Sequence, residues 1–223
     1  IITQNPTAPA GPFQNSAAPG VWSLAEALSY QKGGLWPVPG NAPEYIYGFG
    51  NSNSARGRTL VSSLGNQVSY GTFGDASNAY EGGCSSNVRG LASGSSNTIL
   101  YFTLASDGGT TDFGDRTVSG QCESTSNNTR GIIYDNATNV IDYVTIASAG
   151  NATDFGNQDY VASNTGIAAA ASTTRAVNGG GWGSEVFNKI SYLTFSSTGN
   201  ASDFGDLTVE RGYLGAVPNG TRA

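Results

Sequence analysis

The residues of this chain best equipped for chemistry fall in a fixed pattern. Asp112, Asp154 and Asp203 each open an Asp-Phe-Gly triplet, and Arg89, Arg130, Arg175 and Arg222 each sit in a Thr/Val-Arg-Gly/Ala triplet. A carboxylate ahead of an aromatic ring and a glycine can cap a turn, join a hard cation or, in pairs, supply acid and base. A guanidinium can clamp a carboxylate through two parallel hydrogen bonds. The rest of the inventory narrows the options. Histidine is absent, which removes Ser-His-Asp and Cys-His catalysis together with the commonest metal ligand. The two cysteines, Cys84 and Cys122, lack Cys-x-x-Cys spacing and cannot form a zinc site. They stand five and eight residues before Arg89 and Arg130, similar places in successive units, and read as small half-buried side chains, with a disulfide as the alternative.

These residues belong to a repeat. The segments 99–115, 141–157 and 190–206 align without a gap, and in each the phenylalanine follows the tyrosine by twelve positions: Tyr101 to Phe113, Tyr143 to Phe155, Tyr192 to Phe204. Phe-Gly pairs at Phe73-Gly74, Phe113-Gly114, Phe155-Gly156 and Phe204-Gly205 are spaced 40, 42 and 49, and the arginine markers 41, 45 and 47. Interleaved markers of matching period signify a stacked architecture. The first unit reads as degenerate: 67–75 lacks the intervening turn. Within a unit four short strands are expected: one from the Arg-Gly marker, one at Ile-x-Tyr, one around Asp-Phe-Gly and one leading to the next arginine. The Ile-x-Tyr strand is apolar on both faces, so both must be covered. Blades pressed flank to flank meet that demand. The fold expected is all-β, a β-propeller or blade-repeat domain of about four four-stranded units, preceded by an extended arm and one short helix. Segment Tyr45–Phe49 is expected to lie beside the C-terminal strand and close the ring, with an open stack completed by another subunit as the alternative.

The domain limits read as 1–20 for an extended arm, 21–40 for a capped helix and Trp-Pro linker, and 41–223 for the repeats. Ser23 and Glu26 form a capping box, after which Leu24, Ala27 and Leu28 give one apolar stripe. Trp22, Leu24, Leu28 and Trp36 are the expected anchoring residues, packing on the repeats or on a partner. The net charge is −6 over 223 residues with no basic cluster, which argues against nucleic acid and anionic membrane. No apolar run approaches membrane-spanning length. The chain begins at Ile1 and contains no methionine, so it reads as a processed product or a piece of a longer one.

Segments 139–157 and 191–211 resemble the kelch-like repeats of structural proteins in marine tailed phages, cyanophages especially. The segment 20–40, Gly-Val-Trp-Ser-Leu-Ala-Glu-Ala-Leu ending in Leu-Trp-Pro, is similar to one that precedes such repeats. The resemblance covers most of the chain. It implies a kelch-like fold, a place on the virion in a tail, fibre or surface appendage, and other virion proteins and sister copies as partners; it does not imply an enzyme, and the expected role is non-enzymatic. The shortened first unit and abrupt C-terminus depart from the pattern. A host-receptor adhesin that binds a surface glycan is the alternative, and a small secreted carbohydrate-active propeller enzyme is the alternative from another class.

Other readings of the motifs are weaker. The kinase Asp-Phe-Gly element needs a Gly-rich loop and a catalytic lysine, and it does not recur three times. The turn at Thr110–Gly114 partly resembles the Asp-box of sialidases but lacks the following Thr-Trp. No cofactor is expected, with calcium at the Asp-Phe-Gly turns as the weaker option. The repeat residues, Tyr101, Phe113, Gly114, Tyr143, Asp154, Phe155, Gly156, Tyr192, Asp203, Phe204 and Gly205, are expected to be structural. The four arginines are expected to contact the turn aspartates between strands or blades. Sequons at Asn127, Asn136, Asn151, Asn200 and Asn219 read as turn chemistry rather than glycan sites.

Overall fold

The computed structural model describes residues 23–32, 45–50, 53–60, 64–73, 80–104, 109–161 and 166–217. The expected arm over 1–20, Trp22, Trp36 and Arg222 lie outside them. The chain divides into two compact units, 1–47 with 58–68, and 48–57 with 69–223.

In the first unit, α1 (Leu24–Lys32) starts at the expected capping box. The Glu26 amide donates to Ser23 Oγ (3.2 Å), and Glu26 Oε2 accepts from the Ser23 amide (3.0 Å) and hydroxyl (2.7 Å). Those bonds hold the Glu26 carboxyl below its ordinary pKa. The stripe on this helix is uncovered, with Leu24 85% and Leu28 43% exposed. Elsewhere in the unit the Arg58 guanidinium lies 4.5 Å from the Tyr45 ring centre, and Tyr45 meets Tyr47 edge-on at 6.1 Å.

The described strands form four antiparallel sheets, each a blade. Blade 1 has the order β1 (Tyr45–Gly50), β2 (Asn53–Leu60), β3 (Val68–Thr72). Blade 2 runs β4 (Tyr80–Ser85), β5 (Arg89–Gly94), β6 (Thr98–Thr103), β7 (Thr111–Asp115). Blade 3 runs β8 (Cys122–Ser126), β9 (Arg130–Asp135), β10 (Val140–Thr145), β11 (Thr153–Asn157). Blade 4 runs β12 (Ala168–Ala171), β13 (Arg175–Gly179), β14 (Lys189–Thr194), β15 (Ser202–Asp206). The fold is thus all-β with blade-repeat units and one short helix.

Four details correct the expectation. The strand that leads to each arginine does not end a unit; it pairs with the arginine strand and opens the next blade, as β8 does with β9. Blade 1 has three described strands rather than four. Among the described residues strand β1 is the edge of blade 1, bonded to β2, and pairs with no C-terminal strand. The cysteines are not at equivalent places: Cys84 lies opposite Leu91, one end of its strand, whereas Cys122 lies opposite Asp135 at the other. Neither cysteine is in a disulfide.

The first repeat also falls in a different register. Strand β3 has the same burial sequence as β7 and β11, with Tyr70 at the place of Phe113 and Phe155 and Gly71 at that of Gly114 and Gly156. Counting back from Tyr70, segment 56–72 aligns with 141–157 without a gap. Gly65-Asn66 matches Gly150-Asn151, so the turn is present, and the marker is Tyr70-Gly71 rather than Phe73-Gly74.

The core of the second unit lies between blades. One face of blade 2 (Leu91, Ile99, Phe113) closes on the opposite face of blade 3 (Cys122, Ile133, Val144, Ile146). The other face of blade 3 (Ile132, Tyr134, Ile141, Phe155) closes on blade 4 (Ala176, Leu193, Phe195). Alternation along each strand sends Ile141 and Tyr143 one way and Asp142 and Val144 the other, which is why the Ile-x-Tyr strands are apolar on both faces. Each phenylalanine buried in such a seam gains roughly 2–3 kcal/mol from leaving water.

Candidate functional site: the blade seams

The residues repeated in the sequence converge at the seams. On the faces of blades 2, 3 and 4, an arginine at the start of the second strand stacks on the tyrosine of the third, and that tyrosine meets the phenylalanine of the fourth. Arg89 lies 4.8 Å from the Tyr101 ring centre, Arg130 4.8 Å from Tyr143, and Arg175 4.9 Å from Tyr192. The tyrosine–phenylalanine pairs are edge-to-face at 6.0 Å (Tyr101–Phe113), 5.8 Å (Tyr143–Phe155) and 6.0 Å (Tyr192–Phe204). Edge-to-face geometry sets positive ring edges against a negative ring face, worth about 0.5–1.5 kcal/mol per pair. A cation over the tyrosine adds about 0.5–1 kcal/mol. The expected arginine–aspartate contact at the turns is therefore replaced by an arginine–aromatic stack.

The same guanidinium reaches the next blade. Arg89 donates to the carbonyls of Ile146 (3.1 Å) and Ala147 (2.9 Å), and Arg130 donates to that of Phe195 (2.5 Å). In blade 1 the pair is exchanged. Arg58 occupies the tyrosine position and stacks on Tyr45, while the Tyr70 hydroxyl donates to the carbonyls of Thr103 (2.7 Å) and Leu104 (2.9 Å). Arg56, 2% exposed, takes the place of Ile99 and Ile141 and is surrounded by Tyr70, Phe73 and Phe102, its nearest ring centre 4.5 Å away at Phe102. Burial lowers its pKa.

The Asp-Phe-Gly triplets form a backbone socket. A bulge in the pairing of the third and fourth strands passes over Phe113 and Phe155, which frees their carbonyls to turn outward. The amide of Gly150 donates to Phe113 O (2.7 Å) and that of Ala152 to Asp115 O (2.8 Å), and Asn151 Oδ1 accepts from the Asp115 amide (3.0 Å). One blade further on the bonds recur: Gly199 to Phe155 O (2.7 Å), Ala201 to Asn157 O (2.8 Å), and the Asn157 amide to Asn200 Oδ1 (3.0 Å). Gly114 and Gly156 have φ of 142° and 148°, and a side chain on either would strike the neighbouring blade's turn at Gly150 or Gly199. Asp112 and Asp203 each cap their own turn, Oδ1 accepting from the amides of Gly114 and Gly205 (3.0 Å each). Among the described residues no group of three His, Cys, Asp or Glu side chains could hold a metal ion.

Polar latches at the exits of blades 2 and 3 distinguish one seam from the next. Between blades 2 and 3, Thr117 donates from its amide and hydroxyl to Asp142 (2.8 Å each). Between blades 3 and 4 the acid sits on the other side, and Ser191 Oγ donates to Asp159, with Lys189 3.6 Å from Asp159. Arg116 and Asp135 form a buried ion pair at 3.4 Å, with Arg116 also donating to the carbonyls of Gly94, Ser96 and Gly120. Sequence reasoning passed over these residues because each occurs once and carries no period.

Asn151 and Asn200 are held in the seams, and the sequon at Asn127 donates from Nδ2 to Thr173 O (3.0 Å), all consistent with turn chemistry. A polar cleft over the first strands, about 520 Å³, is lined by Ser85, Ser86, Ser124, Thr125 and Ser126 and by one carboxylate, Glu123. Burial pushes the Cys84 thiol at its floor up to about 12, so it is a poor nucleophile.

No protein-family model matches the chain, and no curated protein matches it. Among solved structures it is similar to the computationally designed Ika8 protein, at 11% identity and a TM-score of 0.48 over 75% of this chain, which spans about half (51%) of that protein's length.

Proposed function

We propose that this chain is a non-enzymatic structural component of a phage particle, a stiff blade array in a tail, fibre or surface appendage. The observation that carries this reading is what the repeats conserve among themselves. Arg, Tyr, Phe, Gly and Asn recur because they join one blade to the next, and none of them converges on a shared ligand position. Copies of a residue kept for catalysis would be expected to depart from it in all blades but one. Here the joint is copied. A glycosidase of the ordinary kind needs two carboxylates flanking a sugar, and Glu123 alone lines the polar cleft. The virion assignment itself comes from the sequence resemblance to phage repeats. The uncovered Leu24/Leu28 stripe suits a segment that attaches the array to a neighbour.

Mass spectrometry of purified particles tests the reading. The chain should be present at fixed copy number and resist removal by high salt. Its confinement to the free-protein fraction of the lysate, or release of labelled fragments from polysaccharide by the purified chain, would overturn it.

A further inference from the structure

The last blade carries a complete socket that no described residue fills. Arg175 is stacked on Tyr192, Tyr192 meets Phe204 edge-on, and Asp203 caps Gly205, so the face is already built as in blades 2 and 3. The bulge recurs, passing over Phe204 between the Ile190–Gly205 and Ser191–Asp203 pairs. Gly205 keeps the left-handed φ of 137° that in Gly114 and Gly156 makes room for a neighbour's turn. Yet Phe204 is 55% exposed where Phe113 and Phe155 are 3%, and a Cβ on Gly205 would meet nothing within 4 Å. Among the described residues nothing takes the place that Gly150 and Gly199 fill.

The first blade carries the matching insert. Leu64-Gly65-Asn66-Gln67 aligns with Ala149-Gly150-Asn151-Ala152 and Thr198-Gly199-Asn200-Ala201. Asn66 aligns with Asn151 and Asn200, whose Oδ1 atoms accept the amide in the two filled seams, and Gly65 and Gln67 align with the residues whose amides donate there. Like the seated turns it is exposed and leaves room at its glycine: a Cβ on Gly65, Gly150 or Gly199 would meet nothing within 4 Å. We infer that the Phe204-Gly205-Asp206 face binds the Leu64–Gln67 turn of a second copy, extending the internal seam from chain to chain. Socket and insert are different surfaces, so the contact is head-to-tail and propagates as a ring or a filament according to its rotation. The inference goes beyond the virion reading and does not depend on it.

The test uses full-length chains carrying Asn66→Cys or Asp206→Cys, mixed under mild oxidation. The native thiols are poor competitors, since Cys122 is buried and Cys84 is held protonated. The mixture should give a disulfide-linked dimer that neither variant forms alone, and the double variant should give a ladder of multimers. In sedimentation, Phe204→Glu should weaken self-association of the parent chain at least tenfold with its circular dichroism unchanged. A double variant that cross-links only within one chain would overturn the second-copy assignment in favour of in-chain closure. Absence of any cross-link, or self-association indifferent to Phe204→Glu, would overturn the socket itself.

Discussion

Blade 3 and blade 4 present the same residues on the same strands to different surroundings. Phe155 is sealed by blade 4, with its carbonyl bonded to Gly199, while Phe204 lies open. Each stacks edge-on with its tyrosine at nearly the same distance. Internal geometry of a blade is therefore independent of whether its face is filled, but burial comes only from the neighbour. That is the physics of a linear array, in which stability is a sum of units and of seams between them.

Paired substitutions would break or sharpen this contrast. Phe155→Ala should cost about 3–5 kcal/mol in urea unfolding through the cavity it leaves, whereas Phe204→Ala in the isolated chain should cost under about 1 kcal/mol. Gly156→Ala adds a seam clash to left-handed strain and should cost about 3 kcal/mol, against about 1–2 kcal/mol of strain alone for Gly205→Ala. Comparable losses at both members of either pair would show that the seam is not where the stability lies.

A pH series probes the same seam. Burial raises the pKa of Tyr134, and of Tyr160 beside it, above the ordinary value near 10. A raised folded-state pKa means that the native state holds the proton more tightly. The contribution is therefore whole below about pH 10 and lost as pH climbs above it. Thermal melts should fall from about pH 10 upward, and Tyr134→Phe should flatten that fall. A smaller difference is expected for the guanidinium. Arg130→Lys loses the stack and the Phe195 carbonyl together and should cost about 1–2 kcal/mol, and Arg175→Lys about half as much. Smallest is the amide bond: Asn151→Ala should cost about 1 kcal/mol, and Asn66→Ala nothing measurable in dilute monomer.

The strands and their alternation were legible because a strand's two faces must both be written into its residues. The twelve-residue interval from Tyr143 to Phe155 spans one strand, a turn and the bulge, and it recurs as a ring contact of fixed geometry. The first repeat was misread because it was sought by its tyrosine and phenylalanine. Arg58 and Tyr70 hold those places, and the surviving signal was Gly65-Asn66 followed by Gly71. The partner of the arginines was not legible from matched counts of Arg and Asp. Arg89 lies opposite Thr103 and two residues from the Leu91–Tyr101 pair, on the same face, which puts its guanidinium over the ring, while Asp112 turns to its own glycine. The latches Thr117–Asp142 and Asp159–Ser191 depend on which blade follows which, so no single unit announces them.

Those latches constrain how such an array can lengthen by duplication. A tandem copy of blade 3 would set Asp159 of the first copy against Asp142 of the second, two carboxylates where each of the two latched joints has one acid and one hydroxyl. Blade 4 inserted after blade 2 would meet Thr117 with Ser191 and leave that joint without an acid. The order of the modules is thus encoded in single side chains at their exits, and growth by simple copying of blade 3 carries an electrostatic penalty until one acid is replaced.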